Sequence, residues 1–191
     1  MFVLVDQFID RTFAREKSFF GTGCVGHVPF SHPISPLLQE AAKSALIAEN
    51  ISYTVGGTYL VMEGPQFSTL AESLLYKSWG ASVIGMTNMP EAKLAREAEM
   101  CYCTVAMVTD YDSWHADHGE VDVAKVIEFM KTNAGNAKKL ISRIARSFPK
   151  LHPPCPRGSD RALDYAIMTA QEMRDPQLMN KLEAITARIF A

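Results

Sequence analysis

Residues 82–112 read SVIGMTNMPEAKLAREAEMCYCTVAMVTDYD and contain the patterns of a strand, a helix and a second strand. A short buried strand is predicted over Ser82–Met86, and a helix begins at Pro90 and runs to about Met100. The apolar stretch Cys101–Thr109 predicts the second strand. Strands and helices that alternate at this spacing are typical of an α/β domain.

The rest of the chain continues this alternation on both sides. Towards the N-terminus we predict a strand at Phe2–Val5, a Gly- and Pro-rich loop at 21–36, a helix over Leu37–Asn50 capped by Ser35, paired strands at Ser52–Thr54 and Thr58–Met62, and a helix over Leu70–Trp79. Towards the C-terminus we predict a helix from Val121 to about Phe148, a Pro-rich linker, and helical stretches at Arg161–Met173 and Pro176–Ile189. We therefore expect a three-layer α/β fold in which helices flank a mixed central sheet. It forms a single domain, with a core over 1–148 and a C-terminal linker and helices over 149–191.

The composition excludes several classes of protein. Of the 191 residues, 48% are hydrophobic and 21% are charged, which excludes a disordered chain. The net charge of −2 offers no basic surface for nucleic acid, and no run approaches the roughly 20 apolar residues of a membrane span. Met1–Asp6 lacks the basic start of a signal peptide. Four scattered cysteines, Cys24, Cys101, Cys103 and Cys155, fit reduced thiols in a cytoplasmic protein better than disulfides, zinc or a redox CxxC motif.

Polar side chains follow both strands of residues 82–112. Thr87 comes after the first strand, and Asp110 and Asp112 come after the second. Ligands of α/β sheets bind beyond the carboxyl ends of strands. Two acids at this spacing either cap a turn or lie together, in which case their repulsion raises one pKa and creates a proton donor near neutral pH.

Two loops carry further candidate residues. Phe67 in the loop Glu63–Phe67 is either a hydrophobic staple or a surface for stacking on a flat ligand. His115 and His118, with Asp117, lie in a polar loop, which we interpret as a solvated segment, so no metal is expected.

Five segments, taken in order, carry a resemblance to a known family. They are DQFIDRT at 6–12, EGPQF at 63–67, WG at 79–80, VIGMT at 83–87 with PE at 90–91, and AMVTDYD at 106–112. Together they resemble the 5′-methylthioadenosine phosphorylases of the trimeric purine nucleoside phosphorylase family, over residues 1 to about 148.

The resemblance implies phosphorolysis of 5′-methylthioadenosine to adenine and 5-methylthioribose 1-phosphate. It implies inorganic phosphate as co-substrate, no cofactor, and a homotrimer. In this family the residue matching Asp110 protonates the purine and the one matching Asp112 orients the base. By the same resemblance Phe67 packs on the purine, Met86 lies against the ribose, and Thr87 contacts phosphate and sugar.

Further positions carry over from the family one by one. Val123, Val126 and Ile127 would line a slot for the methylthio group, or else form ordinary helix core. His27 matches a histidine that enters the neighbouring subunit's site. An acid at Asp110 favours 6-aminopurines, since relatives acting on 6-oxopurines carry an amide there. A methylthioinosine or general purine nucleoside phosphorylase, and a non-catalytic remnant, remain the alternatives.

The family also has motifs that these 191 residues do not contain. Its members begin with a glycine-rich phosphate loop, an Arg-His-Gly segment and an Asn-rich stretch. We therefore expect a chain that lacks the N-terminal strands and most of the phosphate site, with little activity alone.

Overall fold

The computed structural model of the chain describes residues 1–115 and 123–190. The elements in chain order are β1 (Phe2–Leu4), β2 (Gln7–Asp10), α1 (Pro36–Ala48), β3 (Tyr53–Val55), β4 (Thr58–Val61), α2 (Leu70–Ser78), β5 (Ala81–Gly85), α3 (Glu91–Glu97), β6 (Val105–Met107), α4 (Val123–Ser147) and α5 (Pro176–Phe190). The predicted mixed α/β class is confirmed.

The described strands form two short sheets that meet at a bend. One has the order β3-β1-β6, with β1 parallel to β3 and antiparallel to β6. The other has the order β2-β4-β5 and is parallel throughout. The chain runs from β1 directly into β2 and from β3 directly into β4. Both connections therefore pass from the first sheet to the second at the same bend.

The predicted pairing of the strands around Gly56 and Gly57 is wrong. β3 and β4 lie in different sheets. Gly56 and Gly57 have φ values of +90° and +115°, which glycine adopts at little cost. The amide of Gly56 donates a hydrogen bond to the carbonyl of Leu4. The amide of Gly57 donates a hydrogen bond to the Asp6 carboxylate at 3.2 Å. These bonds tie the glycines to the β1–β2 connection instead of closing a hairpin.

Alternate residues of β1 pack against helices on opposite faces of its sheet, which produces the three layers. On one face, Phe2 and Leu4 join a core with Leu46 of α1 and Leu140 of α4. On the other face, Val3 joins a second core, whose further members include Val5, Tyr59, Val61, Met89, Ala92 of α3 and Ala106.

Several predicted elements differ in extent from the structure. Only Val105–Met107 of the long apolar segment is a strand, because its partner β1 has just the residues Phe2–Leu4 to pair with. Gln7–Asp10 forms a strand that was not predicted. In place of a helix over Arg161–Met173 there are 3-10 turns at each end, since the backbone between them bridges to the loop at Gly26.

The segment after α4 packs against the long loop between β2 and α1. Its apolar cluster comprises Phe20, Cys24, Leu163, Ala166 and Leu182. Gly26 and Ile167 form a bridge, and the amide of His27 donates to Ala166 at 2.8 Å. The division at residue 148 stays a prediction. Across residues 1–115 and 123–190, no helix is both long and apolar enough to cross a membrane.

Candidate active site

A cavity of about 750 Å³ opens between β5, β6 and the loop that follows β6. Thr87 and Asn88, after β5, form part of its lining together with Asp110 and Asp112 from the loop. Tyr59 of β4 also lines it. Polar groups that follow two different strands therefore line the same cavity.

Helix α2 holds the loop that carries the two acids. The Asp110 carboxylate accepts a hydrogen bond from the amide of Tyr111 at 2.8 Å. The Asp112 carboxylate accepts a hydrogen bond from the amide of Ser113 at 2.9 Å. The Ser113 hydroxyl lies 2.9 Å from the hydroxyl of Ser73 on α2. The acids therefore form hydrogen bonds within the turn, as the first interpretation expects, and both also line the cavity. The role of one of them as a proton donor stays a prediction.

A sharp turn after β5 places Thr87 at the cavity. Asn88 has a φ of +78°, a left-handed conformation that asparagine tolerates better than most residues. Its side-chain oxygen accepts hydrogen bonds from the hydroxyls of Tyr102 at 3.0 Å and Thr104 at 2.7 Å. These bonds fix the turn. The Thr87 hydroxyl then lies 3.2 Å from that of Tyr59.

Arg15 joins the two loops that carry the predicted sugar and base contacts. Its guanidinium donates to the Glu63 carboxylate at 3.0 Å and to the Glu63 carbonyl at 2.8 Å. It also donates to the carbonyl of Met86 at 2.9 Å and to that of Met89. The amide of Phe13 and the Arg15 guanidinium lower the pKa of Glu63, which favours its charged form.

The structure places the other predicted site residues outside the cavity lining. Phe67 is 63% exposed, Met86 packs against Gly64, and His27 is exposed on its loop. Ile127 on α4 is 50% exposed. Their assigned roles stay predictions. The side chains of Val123 and Val126, and the residues Asp117 and His118, lie outside the described part of the chain. Within that part, no group of three or more His, Cys, Asp or Glu side chains could hold a metal ion.

Sequence reasoning missed three residues that shape the site. Arg15 lies in a loop without a distinguishing pattern, and its acceptors are mostly backbone carbonyls, which no sequence pattern marks. Tyr59 was assigned only to a strand. Asn88 had a detectable signal, because asparagine directly after a strand favours a left-handed turn.

Comparison with known proteins places the chain in a family. The model of the phosphorylase superfamily matches residues 1–146. The chain belongs to the phosphorylase superfamily. Its core of two sheets and flanking helices is thus a phosphorylase core.

Individual phosphorylases resemble the chain along nearly all of its length. The S-methyl-5′-thioadenosine phosphorylases of Bradyrhizobium diazoefficiens and Cereibacter sphaeroides are 61% and 60% identical to it, over 99% of the chain and 65% of each relative. The chain therefore spans less than two thirds of the length of these relatives.

Solved phosphorylases share its fold. A methylthioadenosine phosphorylase from an antarctic soil metagenomic library superimposes with a TM-score of 0.88 at 38% identity, covering 96% of this chain and 64% of that one. The methylthioadenosine phosphorylase of Schistosoma mansoni in complex with adenine gives 0.74 at 27% identity, covering 79% and 60%.

Proposed function

We propose that the chain supplies the nucleoside-binding part of a 5′-methylthioadenosine phosphorylase, a pentosyltransferase. The C1′–N9 bond of the nucleoside breaks and a bond from C1′ to a phosphate oxygen forms. The products are adenine and 5-methylthioribose 1-phosphate. The observation that carries the proposal is the meeting of Asp110, Asp112 and Thr87 at one cavity of about 750 Å³.

The two acids act on the purine. As the glycosidic bond breaks, positive charge develops on the sugar and negative charge moves into the base. Asp110, in its protonated form, donates its proton to the imidazole-ring nitrogen of the purine, and a positioned acid of this kind accelerates a reaction by about 10²–10⁴. Asp112 accepts a hydrogen bond from the 6-amino group and so orients the base.

Thr87 acts at the other end of the bond. Its hydroxyl can donate to an oxygen of phosphate or of the sugar while its lone pairs accept from Tyr59, 3.2 Å away. Inorganic phosphate enters as co-substrate, and the reaction needs no resident cofactor because neither electrons nor carbon units are transferred to a carrier.

The active form in this proposal is a cytoplasmic homotrimer. Exposed apolar side chains on and beside α2, namely Phe67, Leu70 and Leu74, support a subunit contact there. The exposed position of His27 fits entry into a neighbour's site. The free thiols of all four cysteines support a reducing compartment.

Equilibrium binding to the purified chain tests the base-binding part of the proposal. We expect 5′-methylthioadenosine and adenine to bind, with hypoxanthine weaker by about tenfold or more. Thr87→Val should weaken the binding of 5′-methylthioadenosine more than that of adenine, because the Thr87 hydroxyl in this proposal faces the sugar and the phosphate. Thr22→Val, at an exposed threonine of the long loop, is the matched control. If neither purine ligand binds to correctly folded chain, the proposal is wrong.

A further inference from the structure

Helix α2 contacts the loop after β6 through two side chains on the same helix face. Ser73 and Lys77 are four residues apart, so their side chains lie one above the other along the helix. The hydroxyl of Ser73 lies 2.9 Å from that of Ser113, and the ammonium nitrogen of Lys77 lies 3.4 Å from the centre of the Trp114 ring. Two consecutive loop residues are therefore held by two successive turns of one helix.

The two contacts differ in kind and in exposure. Ser73 is 1% exposed, so the hydrogen bond between its hydroxyl and that of Ser113 is shielded from water. Lys77 is exposed, and its ammonium group is attracted to the electron-rich face of the indole ring. The hydrogen bond therefore sets where the loop lies, and the cation holds the ring of Trp114 against the helix.

Ser113 and Trp114 are the two central residues of a turn that begins at Asp112. The carbonyl oxygen of Asp112 accepts a hydrogen bond from the amide of His115 at 3.0 Å, which closes the turn. The Asp112 carboxylate accepts another from the amide of Ser113 at 2.9 Å. Ser113 thus bonds to Asp112 through its amide and to α2 through its hydroxyl, so the position of the carboxylate depends on the position of the helix.

Helix α2 has a fixed position of its own. Its N-terminus is closed by a capping box, in which the Thr69 hydroxyl accepts a hydrogen bond from the amide of Glu72 and the Glu72 carboxylate accepts one from the amide of Thr69. At the other end Gly80, with a φ of +80°, leads directly into β5. The helix therefore links β5 to the loop that carries the acids.

We propose that Ser73 and Lys77 are positioning residues for purine recognition, which act through the turn to place the Asp112 carboxylate at the 6-amino group of the base. Ser73, Lys77 and Trp114 line the same cavity as Asp112. The inference rests on the proposed function, in which Asp112 accepts a hydrogen bond from that amino group.

Comparison of two ligands tests the inference without requiring turnover. Adenine carries the 6-amino group and unsubstituted purine lacks it, so the ratio of their affinities for the full chain, measured by calorimetry, isolates the contact of this group. We expect Ser73→Ala and Lys77→Met each to lower the ratio of adenine to purine affinity by about three- to fivefold. A general loss of stability would weaken the binding of both ligands and leave the ratio unchanged.

Three further variants serve as controls. Lys77→Arg keeps a cation for the indole ring and should retain the wild-type ratio. Lys181→Met removes an exposed lysine from another helix, α5, and should also retain it. Combining Ser73→Ala with Ser113→Ala should lower the ratio no further than either substitution alone, because both remove the same hydrogen bond.

The fluorescence of Trp114 reports its contact with Lys77 directly and needs no ligand. The sequence has two tryptophans, so Trp79→Phe leaves Trp114 as the sole tryptophan. In that background Lys77→Met should increase the quenching of the fluorescence by acrylamide, because the ring is released from the helix. Lys77→Arg should leave the quenching unchanged.

The outcomes separate this inference from the proposed function. A wild-type chain that binds neither ligand, or binds adenine no better than purine, overturns the proposed role of Asp112 and this inference with it. A wild-type preference for adenine that persists in both Ser73→Ala and Lys77→Met overturns the inference alone, and persistence in one variant removes that residue from it. Unchanged quenching in Lys77→Met would show that Lys77 does not hold Trp114.

Discussion

The guanidinium Nε of Arg15 lies 3.0 Å from the Glu63 carboxylate, so one ion pair ties the loop after β2 to the loop after β4. The same guanidinium bonds to the carbonyls of Met86 and Met89 in the turn after β5. Three loops at the strand ends thus share one side chain. The position of Thr87 depends on Arg15, although Arg15 does not line the cavity.

Arg15→Met should loosen the loops that Arg15 joins. The substitution removes the donors of several backbone carbonyls and leaves Glu63 without its cation. We expect the midpoint of thermal unfolding to fall by roughly 5 °C. We also expect faster amide hydrogen exchange at residues 62–64 and 86–89.

Arg161→Met, at an exposed arginine after the Pro-rich segment, is the control. Equal hydrogen exchange in the two variants would show that Arg15 does not order these loops.

Asp110→Asn should change which purine binds. The amide can donate to a 6-oxopurine, whereas the carboxylate favours a 6-aminopurine. We expect the ratio of hypoxanthine to adenine affinity to rise by about tenfold, measured by calorimetry. Glu16→Gln removes an exposed acid of the β2–α1 loop and should leave that ratio unchanged. An unaltered ratio for Asp110→Asn would remove Asp110 from its assigned role.

Gly85→Ala should destabilise the chain where β5 meets Tyr59. A Cβ at position 85 would lie 1.9 Å from the Tyr59 hydroxyl oxygen, so the Tyr59 ring would have to shift or the two strands would have to move apart. We expect a loss of about 1–3 kcal/mol in the free energy of unfolding in urea. Adding Tyr59→Phe should recover part of this loss in stability, because it removes the hydroxyl oxygen that lies nearest to the new Cβ.

Gly135→Ala on α4 is the opposite control. Apart from its chain neighbours and the backbone of its own helix, no atom of residues 1–115 and 123–190 lies within 4 Å of an added Cβ. Alanine favours a helix over glycine, so stability should rise by about 0.5–1 kcal/mol. Equal effects of the two substitutions would contradict the packing argument.

Asp10 should make the chain sensitive to acid. Burial raises its pKa, but Lys93 at 2.5 Å, Thr12 at 2.6 Å and Lys17 at 3.1 Å outweigh burial and hold the pKa well below its usual range. Because the pKa of Asp10 is lower in the folded chain than in the unfolded chain, the ionised carboxylate stabilises the fold at pH values above the unfolded pKa, which is near 4. This stabilisation is lost as the pH falls below that value.

Asp10→Asn should therefore cost roughly 2 kcal/mol at pH 7 and progressively less below pH 4, measured by urea unfolding at each pH. Glu16→Gln, at an exposed acid, should follow the wild-type curve. A constant difference between Asp10→Asn and wild type at all pH values would contradict the assignment.

Local patterns predicted the helices better than the strands. Pro36 and Gly80 mark real helix boundaries, because proline and glycine act on the backbone locally. The length of β6 is set by its short partner β1, and Gly56-Gly57 resembles a hairpin turn until its partners are known. The acids after β6 and Thr87 after β5 follow from strand order, whereas the hydrogen bonds of Arg15 join it to distant segments of the chain.

The bridge between Gly26 and Ile167 also bears on how the chain is made. The loop with His27 leaves the ribosome well before the backbone of Ala166, to which its amide donates a hydrogen bond. During synthesis this loop lacks that support until the segment around Ala166 has emerged. A nascent chain stalled before Ile167 would therefore present the loop to proteases and chaperones in a form that the finished protein never shows.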